Sequence, residues 1–424
     1  MSAIGFHRFP PQYHYNRSMF QKFFIIIAML VLCNAPTLQA QKAFKTLKSA
    51  LKDKKYAESV KTIETLRKDS VWKDSPKLAI YAIDANKGLN DAENLKLYLK
   101  KSYDTIAFFS TTKQIIDECI LLDSLEKAES KEKYKRRKLI TENIHKYFSN
   151  IPPAARFLYK RGKFTDALPY LEMSLELPGT ELGKDAHITV KSKQNLAAIH
   201  VTCSFNAKEY DRMMRFAELA LSDTASRPYI LHCLALKSEA TGDTANYRKW
   251  LEQGLREYDR QTFFFIHLAD YHLKAKNFKE VERMSKQRIS TDSTCKAAWL
   301  ALCNATFHLE NYERCIESAQ KLSLCDSTNA EAYYYEGASY AALAAQVPIP
   351  DNINSTAYRK ATQNRRSYAL KAEPALEKYR SMTPESQKVW APLLYQTYLI
   401  LNRGKKFEEI DTLLHGVKAQ WPTR

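Results

Sequence analysis

The sequence predicts an all-α protein, a right-handed α-solenoid of about ten stacked helical hairpins. The chain has 424 residues, more than the ~250–300 that a single hydrophobic core usually serves, which favours several domains or a repeat array. Its 10 glycines and 15 prolines are few compared with its 25 tyrosines. Residues that form tight turns are therefore too scarce for a many-stranded β fold. Bulky and small residues also recur with a period of 34 between residues 194 and 340, which indicates repeated helix pairs.

Residues 1–40 have the pattern of a removable leader. An unbroken apolar run, Phe23–Cys33, follows a basic start, and the small residue Ala40 closes the segment. Eleven apolar residues are too few to cross a bilayer, which needs about 20. The pattern therefore predicts a secretory signal peptide that is cleaved after Ala40, with Met19 as the true start.

Cleavage there would place the mature chain in the periplasm or cell envelope, with no integral membrane segment. Lipid anchoring at Cys33 is an alternative, although Leu32 stands where a lipoprotein signal needs a small residue. Retention of the leader as an anchor is the third possibility.

The composition and net charge exclude several classes of protein and of partner. Apolar residues at 45% and charged residues at 26% match ordinary folded proteins, which excludes wholesale disorder and a polytopic membrane protein. The leader holds three basic residues and no acidic one, so the net charge of +18 becomes +15 after cleavage. The densest basic stretch, residues 131–138, predicts a solvated helix face or a docking patch for an acidic partner. Export and the lack of a groove-reading motif argue against a nucleic-acid partner.

The segment 41–178 follows the leader and predicts divergent helical hairpins. Leu47, Tyr56, Ile63 and Leu66 have the spacing of a first hairpin. Similar patterns predict further hairpins at 75–103, 106–148 and 150–178. About 15 residues, from 179 to 193, then interrupt the period.

Residues 194–340 contain the regular repeats. Frames of 34 residues come into register without a gap when they begin at Gln194, Pro228, Thr262, Lys296 and Ala330. Slots 4, 7 and 11 of a frame share one face of its first helix, and large residues such as Phe265 and Leu268 recur at slots 4 and 7. Small residues recur at slot 8 of four frames, and Cys315 at slot 20 and Gly254 at slot 27 are also small, as expected where neighbouring helices approach closely. In the frame from Lys296, slot 4 is Trp299, slot 7 is Leu302 and slot 8 is Cys303.

The last frame is interrupted by an insertion at 341–366. This segment carries a proline-containing loop and four basic residues, Arg359, Lys360, Arg365 and Arg366. It predicts either a tolerated extension of the hairpin or a projection that a partner recognises. Residues 367–424 then supply the delayed second helix and a C-terminal capping hairpin that shields the last apolar face.

These residues resemble the tetratricopeptide-repeat (TPR) family, closely between 194 and 340 and more loosely elsewhere in the mature chain. The leader ending and the stretch from Pro348 to Asn354 look similar to exported, uncharacterised TPR proteins of the Bacteroidetes type. The resemblance implies a non-enzymatic scaffold that binds protein or peptide partners. It does not imply a reaction or a cofactor.

The sequence shows no catalytic motif and no metal-binding pattern. HExxH, GxSxG, GxGxxG and GxxxxGK[ST] are all missing. His267 and His272 are five residues apart, so on a helix they cannot share a metal as an i, i+4 pair would. We therefore expect no catalytic residue, no metal and no cofactor. A hydrolase within 41–178 is a further alternative that would need a polar constellation not visible in the sequence.

Seven cysteines follow the leader, an odd number without CxxC spacing, which argues against a disulfide framework or a zinc site. Cys303 and Cys315, at slots 8 and 20, form the pair best placed to bond. They are either two small apolar fillers or one disulfide within a hairpin.

The resemblance also implies where a partner binds. In TPR proteins, slots 2, 5, 9, 12 and 13 of the first helices face a concave groove. The candidate partner-binding residues at these slots are Thr202, Phe205, His232, Asp270, Asn304, Phe307, His308 and Tyr334.

The family's carboxylate clamp for chaperone tails needs Lys at slot 5 of the repeat that has Asn at slot 9. Here Leu300 is at slot 5 beside Asn304 at slot 9, so chaperone tails are not expected. The alternative function is a receptor for anionic glycan or lipopolysaccharide, bound through the basic surface. Neither the partner's identity nor the oligomeric state follows from the sequence.

Overall fold

A computed structural model describes residues 42–70, 72–129 and 136–415. Across these residues the chain forms helices, turns and loops and contains no β-strand, which confirms the all-α class built from repeated helical hairpins. The predicted leader, with its cleavage site and Cys33, lies outside the described residues. None of the described helices has the length and apolar character required to cross a membrane.

The chain divides into two compact units at residues 227 and 228. The N-terminal unit contains, in chain order, α1 (42–52), α2 (Tyr56–Leu66), α3 (Pro76–Tyr98), α4 (Thr105–Glu129), α5 (Arg137–Phe148), α6 (Ile151–Lys160), α7 (Phe164–Glu176), a 3₁₀ turn (Leu177–Gly179), α8 (Glu181–Asp185), α9 (Lys193–Asn206), α10 (Tyr210–Arg215) and α11 (Ala217–Leu221).

Residues 75–103 do not form the predicted hairpin but the single helix α3, which pairs with α4. Gly88 lies inside this helix. A Cβ at Gly88 would lie 2.4 Å from the ring of Tyr56, so the glycine makes room for a neighbouring helix. Asn90 then ties α3 to α4, because its amide nitrogen donates to the carbonyl oxygen of Phe108 at 2.9 Å.

The described part of the basic stretch at 131–138 is largely neutralised by acids. Arg136 pairs with Glu126, and Arg137 pairs with both Asp123 and Asp185. These ion pairs join α4, α5 and α8 around an apolar cluster that includes Ile115, Cys119, Leu122, Ile140 and Ile144.

The C-terminal unit contains α12 (Arg227–Ala240), α13 (Thr244–Glu257), α14 (Thr262–Lys274), α15 (Phe278–Thr291), α16 (Lys296–His308), α17 (Tyr312–Cys325), α18 (Ala330–Gln346), α19 (Thr356–Met382), α20 (Gln387–Leu401) and α21 (Gly404–His415). The first helices α14, α16 and α18 begin at the three predicted frame starts, 34 residues apart. The second helices α13, α15 and α17 begin with the same spacing. The period inferred from the sequence is therefore the period of the helices.

Small residues fill the close helix contacts, as the frame predicts. A Cβ at Gly337, slot 8 of its frame, would lie 2.7 Å from the side chain of Leu376 in α19. Cys303 and Cys315 are both fully buried between α16 and α17. The Cys315 thiol donates to the carbonyl oxygen of Cys303 over 3.3 Å.

The insertion at 341–366 lengthens a hairpin on both sides of its turn. α18 has 17 residues and α19 has 27, compared with 13 or 14 in the helices of the two preceding hairpins. The connection between them covers residues 347–355. The unit then closes with α20 and α21, which contribute Trp390, Leu394, Tyr398 and Ile410 to a common apolar cluster.

Candidate functional site

Three consecutive first helices of the C-terminal unit line an open cleft. We call it the α14–α18 cleft, and its volume is about 400 Å³. Its apolar lining comes from Phe265, Ile266, Ala269, Leu273, Ala297, Leu300 and Ala301. Its polar lining comes from Asp270, Asn304, Glu331 and Tyr335. The repeat explains why these residues line the same cleft, because most of them occupy slots 2, 5, 9 and 12 of successive frames.

The polar side chains at one side of the cleft belong to two helices. The amide nitrogen of Asn304 in α16 donates to the hydroxyl oxygen of Tyr335 in α18 over 2.8 Å. Burial, and secondly the nearby carboxylate of Glu331, raise the pKa of Tyr335. The phenol is therefore un-ionised at neutral pH and serves as a fixed hydrogen-bonding group.

Glu331 is the charged group of this side of the cleft. It lies in the first turn of α18, and partial burial raises the pKa of its carboxyl group. No side chain among the described residues forms an ion pair or hydrogen bond with this carboxylate. Glu331 thus offers an acceptor to a ligand.

Asp270 lines the α14–α18 cleft and also a second cleft, of about 380 Å³, between α12, α13 and α14. Its carboxylate forms an ion pair with Lys274, one turn along α14, at 2.7 Å. Glu239 and Tyr247 line the second cleft as well. Asp270 therefore belongs to the lining of both clefts.

His232 is part of an aromatic stack between α12 and α14. Its ring lies 3.6 Å from that of Phe263, centroid to centroid, at an interplanar angle of 16°. Phe263 also packs on His267, whose Nδ1 lies 3.0 Å from the Tyr247 hydroxyl. Burial lowers the pKa of His232, so the ring is neutral at pH 7 and serves as an apolar plate.

Phe307 and Tyr334 belong to an aromatic cluster next to the α14–α18 cleft. The Phe307 ring lies 5.8 Å from Tyr335 and 6.3 Å from Tyr334. Both side chains are half-buried, and neither belongs to the lining of the cleft. His308 is exposed and stacks on Phe278 of α15 at 4.6 Å.

Thr202 and Phe205 belong to the N-terminal unit, and the other six candidates belong to the C-terminal unit. Thr202 is 9% exposed, and its hydroxyl donates to the carbonyl oxygen of Ala198 in its own helix. Phe205 is half-buried. The cleft therefore brings together Asp270 and Asn304 from the predicted set, with Phe307 and Tyr334 beside them.

Nine of the eleven residues that line the cleft were missing from the predicted set. A signal was available for five of them, Ile266, Leu273, Ala297, Leu300 and Glu331, because they occupy groove slots 5, 12, 2, 5 and 2 of their frames. The predicted set favoured aromatic and amide side chains and passed over aliphatic residues and an isolated glutamate. Among the described residues, no group of three or more His, Cys, Asp or Glu side chains is arranged to hold a metal ion.

Comparisons with known proteins return structures but no family. No family model matches this chain, and no curated protein matches it. The MamA protein is 16% identical, with 46% of this chain and 98% of that chain covered and a TM-score of 0.33. The C-terminal part of a TPR repeat-containing protein from Cytophaga hutchinsonii is 13% identical, with 63% and 96% covered and a TM-score of 0.40. No residue role is transferred from either structure.

Proposed function

We propose that this chain is a non-enzymatic scaffold that binds a protein or peptide partner along the first helices of its C-terminal unit. The observation that supports this function most strongly is the α14–α18 cleft. It combines an aliphatic lining with a few convergent polar groups, which is the usual make-up of a recognition site. Repeated hairpins also hold such a surface rigidly, so little ordering entropy is lost on binding.

The chemistry of the cleft favours binding over catalysis. Its polar groups are two carboxylates, one amide and one phenol, and among the described residues none of them forms a nucleophile–base pair. The thiols nearest to this region, Cys303 and Cys315, are fully buried away from the cleft surface. A partner that is bound and released unchanged fits this set of groups.

The charge of the cleft favours a protein partner over an anionic glycan at this site. Asp270 and Glu331 carry negative charge, and no Lys or Arg among the described residues lines the cleft. The described part of the basic stretch at 131–138 has its arginines paired with acids. Location in the cell envelope remains part of the proposal and rests on the leader pattern in residues 1–40.

The test uses one substitution on the cleft and the same substitution on the other side of a hairpin. Leu300→Asp places a charge in the aliphatic lining, whereas Leu324→Asp changes a leucine of α17 that is 80% exposed. The full chain and both variants are immobilised and exposed to envelope extract, and bound proteins are quantified by mass spectrometry. Circular dichroism verifies that each variant is folded.

We expect a defined set of proteins to bind the wild type and Leu324→Asp equally and to be lost with Leu300→Asp. Equal retention by all three proteins, or an equal loss with both variants, would refute a role for the cleft.

A further inference from the structure

The groove of the C-terminal unit is acidic, although the whole chain is strongly basic. Slots 2, 5, 9, 12 and 13 of α12, α14, α16 and α18 hold three carboxylates, Glu239, Asp270 and Glu331, and one ammonium group, Lys274. The chain as a whole carries a net charge of +18. The excess basic residues of the chain therefore lie outside the groove. The groove has a locally negative electrostatic potential, which attracts cations.

Two basic residues of the helices that line the cleft are already paired with acids. Lys274 is bound to Asp270 at 2.7 Å. Lys296, in the first turn of α16, is bound to Asp326 at 3.1 Å. Glu331 is left as the cleft carboxylate that has no cationic partner among the described residues.

The neutral polar groups of the cleft also favour a ligand that donates hydrogen bonds. Asn304 uses its amide nitrogen in the bond to Tyr335, so its carbonyl oxygen remains as an acceptor. With the Glu331 carboxylate, the cleft presents acceptors from two neighbouring helices. A guanidinium or ammonium group carries three to five N–H donors and can satisfy several acceptors at once.

The aliphatic lining suits the apolar parts of a ligand that carries a Lys or Arg side chain. Ile266 is 46% exposed, and Leu300 is half-buried in the same cleft. Lys and Arg side chains cover apolar surface with their methylene stems while the charged end remains at a polar site. At about 400 Å³, the cleft has room for such a stem and an apolar neighbour.

We propose that the α14–α18 cleft selects a basic peptide segment, in which a Lys or Arg side chain pairs with Glu331 and an adjacent apolar side chain packs on Ile266 and Leu300. This specificity rests on the proposed function, because it names the class of peptide that the same cleft binds.

Selection from a random peptide library displayed on phage tests the ligand class without knowledge of the natural partner. The full chain is the bait, and Leu300→Lys, which places a cation in the aliphatic lining, is the counter-bait that removes peptides bound elsewhere. We expect the remaining peptides to be enriched in Lys or Arg next to Leu, Ile, Val, Met or Phe. Enrichment of acidic peptides, or no enrichment in basic residues, would overturn the inference and leave the proposed function intact. Failure to obtain any peptide that depends on Leu300 would count against the proposed function itself.

Calorimetry with one selected peptide then tests the role of Glu331. Glu331→Gln keeps the size of the side chain and removes its charge, and we expect the affinity to fall about tenfold. Glu313→Gln, which makes the same change on exposed α17, is the matched control and should bind like the wild type. Replacement of the peptide's arginine by citrulline should cause the same loss in the wild type and no further loss in Glu331→Gln. Equal affinity of the Glu331 and Glu313 variants, or an additive loss with citrulline, would contradict the pairing.

Discussion

The ring of Phe264 in α14 packs directly on the backbone of Gly254 in α13. A Cβ at Gly254 would lie 2.2 Å from a ring carbon, and Phe264 is fully buried. Gly254 is at slot 27 of its frame, one of the slots predicted to be small. This contact shows how one hairpin buries its apolar face on the next.

Gly254→Ala should therefore destabilise the C-terminal unit. Alanine favours a helix over glycine by about 1 kcal/mol, but the clash with Phe264 should outweigh this gain, since overpacking costs about 1–3 kcal/mol. Urea denaturation followed by circular dichroism measures the change. The double variant Gly254→Ala, Phe264→Leu should be less destabilised than the sum of the two single variants. A stabilised Gly254→Ala protein would show that the close approach is not real.

His200 makes the stability of the N-terminal unit depend on pH. Its side chain is fully buried, and burial lowers its pKa to about 4, from an ordinary value of 6.5. Glu172, 3.5 Å away, acts in the opposite direction, whereas Arg212 and Arg215 add to the lowering. The folded state therefore keeps His200 neutral at a pH where the unfolded chain has already bound a proton.

The contribution of neutral His200 is complete above pH 6.5 and is lost as the pH falls towards 4. The shift corresponds to about 3 kcal/mol. Urea unfolding at several pH values should show a steeper loss of stability in this range for the wild type than for His200→Gln. Hydrogen exchange of α9 locates the effect. Parallel pH profiles for the two proteins would contradict the assignment.

Cys303 and Cys315 should behave as two free, protected thiols. The side-chain hydrogen bond that Cys303 shares with Cys315 and, secondly, burial raise the pKa of Cys303, which makes it a poor nucleophile. In the folded protein, iodoacetamide should modify the partly exposed Cys325 and leave these two unmodified.

After unfolding in guanidinium chloride, Cys303 and Cys315 should both be alkylated without a reductant. Peptide mass spectrometry reports each site separately. A requirement for dithiothreitol before either residue reacts would show that they form a disulfide.

The regular repeats could be predicted from the sequence because their structure is set by local periodicity. The frames that begin at Thr262, Lys296 and Ala330 coincide with the starts of α14, α16 and α18. Corresponding slots lie at corresponding places in each hairpin, so the helix bounds of one hairpin predict those of the next. The bounds of these helices needed no information from distant parts of the chain.

The divergent region could not be predicted as well, because distant contacts decide its helices. Gly88 resembles a turn glycine in sequence, but its role is to admit the ring of Tyr56 from α2. The same glycine could mark a turn or a close helix contact, and only the neighbouring helix distinguishes them. Residues 75–103 were therefore assigned to two helices where the structure has one.

Two of the residues predicted to line a partner-binding groove, Asp270 and Asn304, also line the α14–α18 cleft. Asn304 was chosen for its slot, and the structure places it in the lining. Glu331 was missed, because a lone glutamate in the first turn of a helix usually serves the helix N-terminus and faces solvent. Its role in the cleft depends on the packing of α18 beside α16, which no local pattern reports.

Photo-cross-linking tests the central claim, that partners contact the α14–α18 cleft, most directly. A benzoylphenylalanine residue is introduced at Leu300 in the cleft or at Leu324 on α17, in the full chain expressed in its own cells. Irradiation should give discrete partner adducts from position 300 and none of them from position 324. Identical adducts from both positions, or adducts from position 324 alone, would contradict the account.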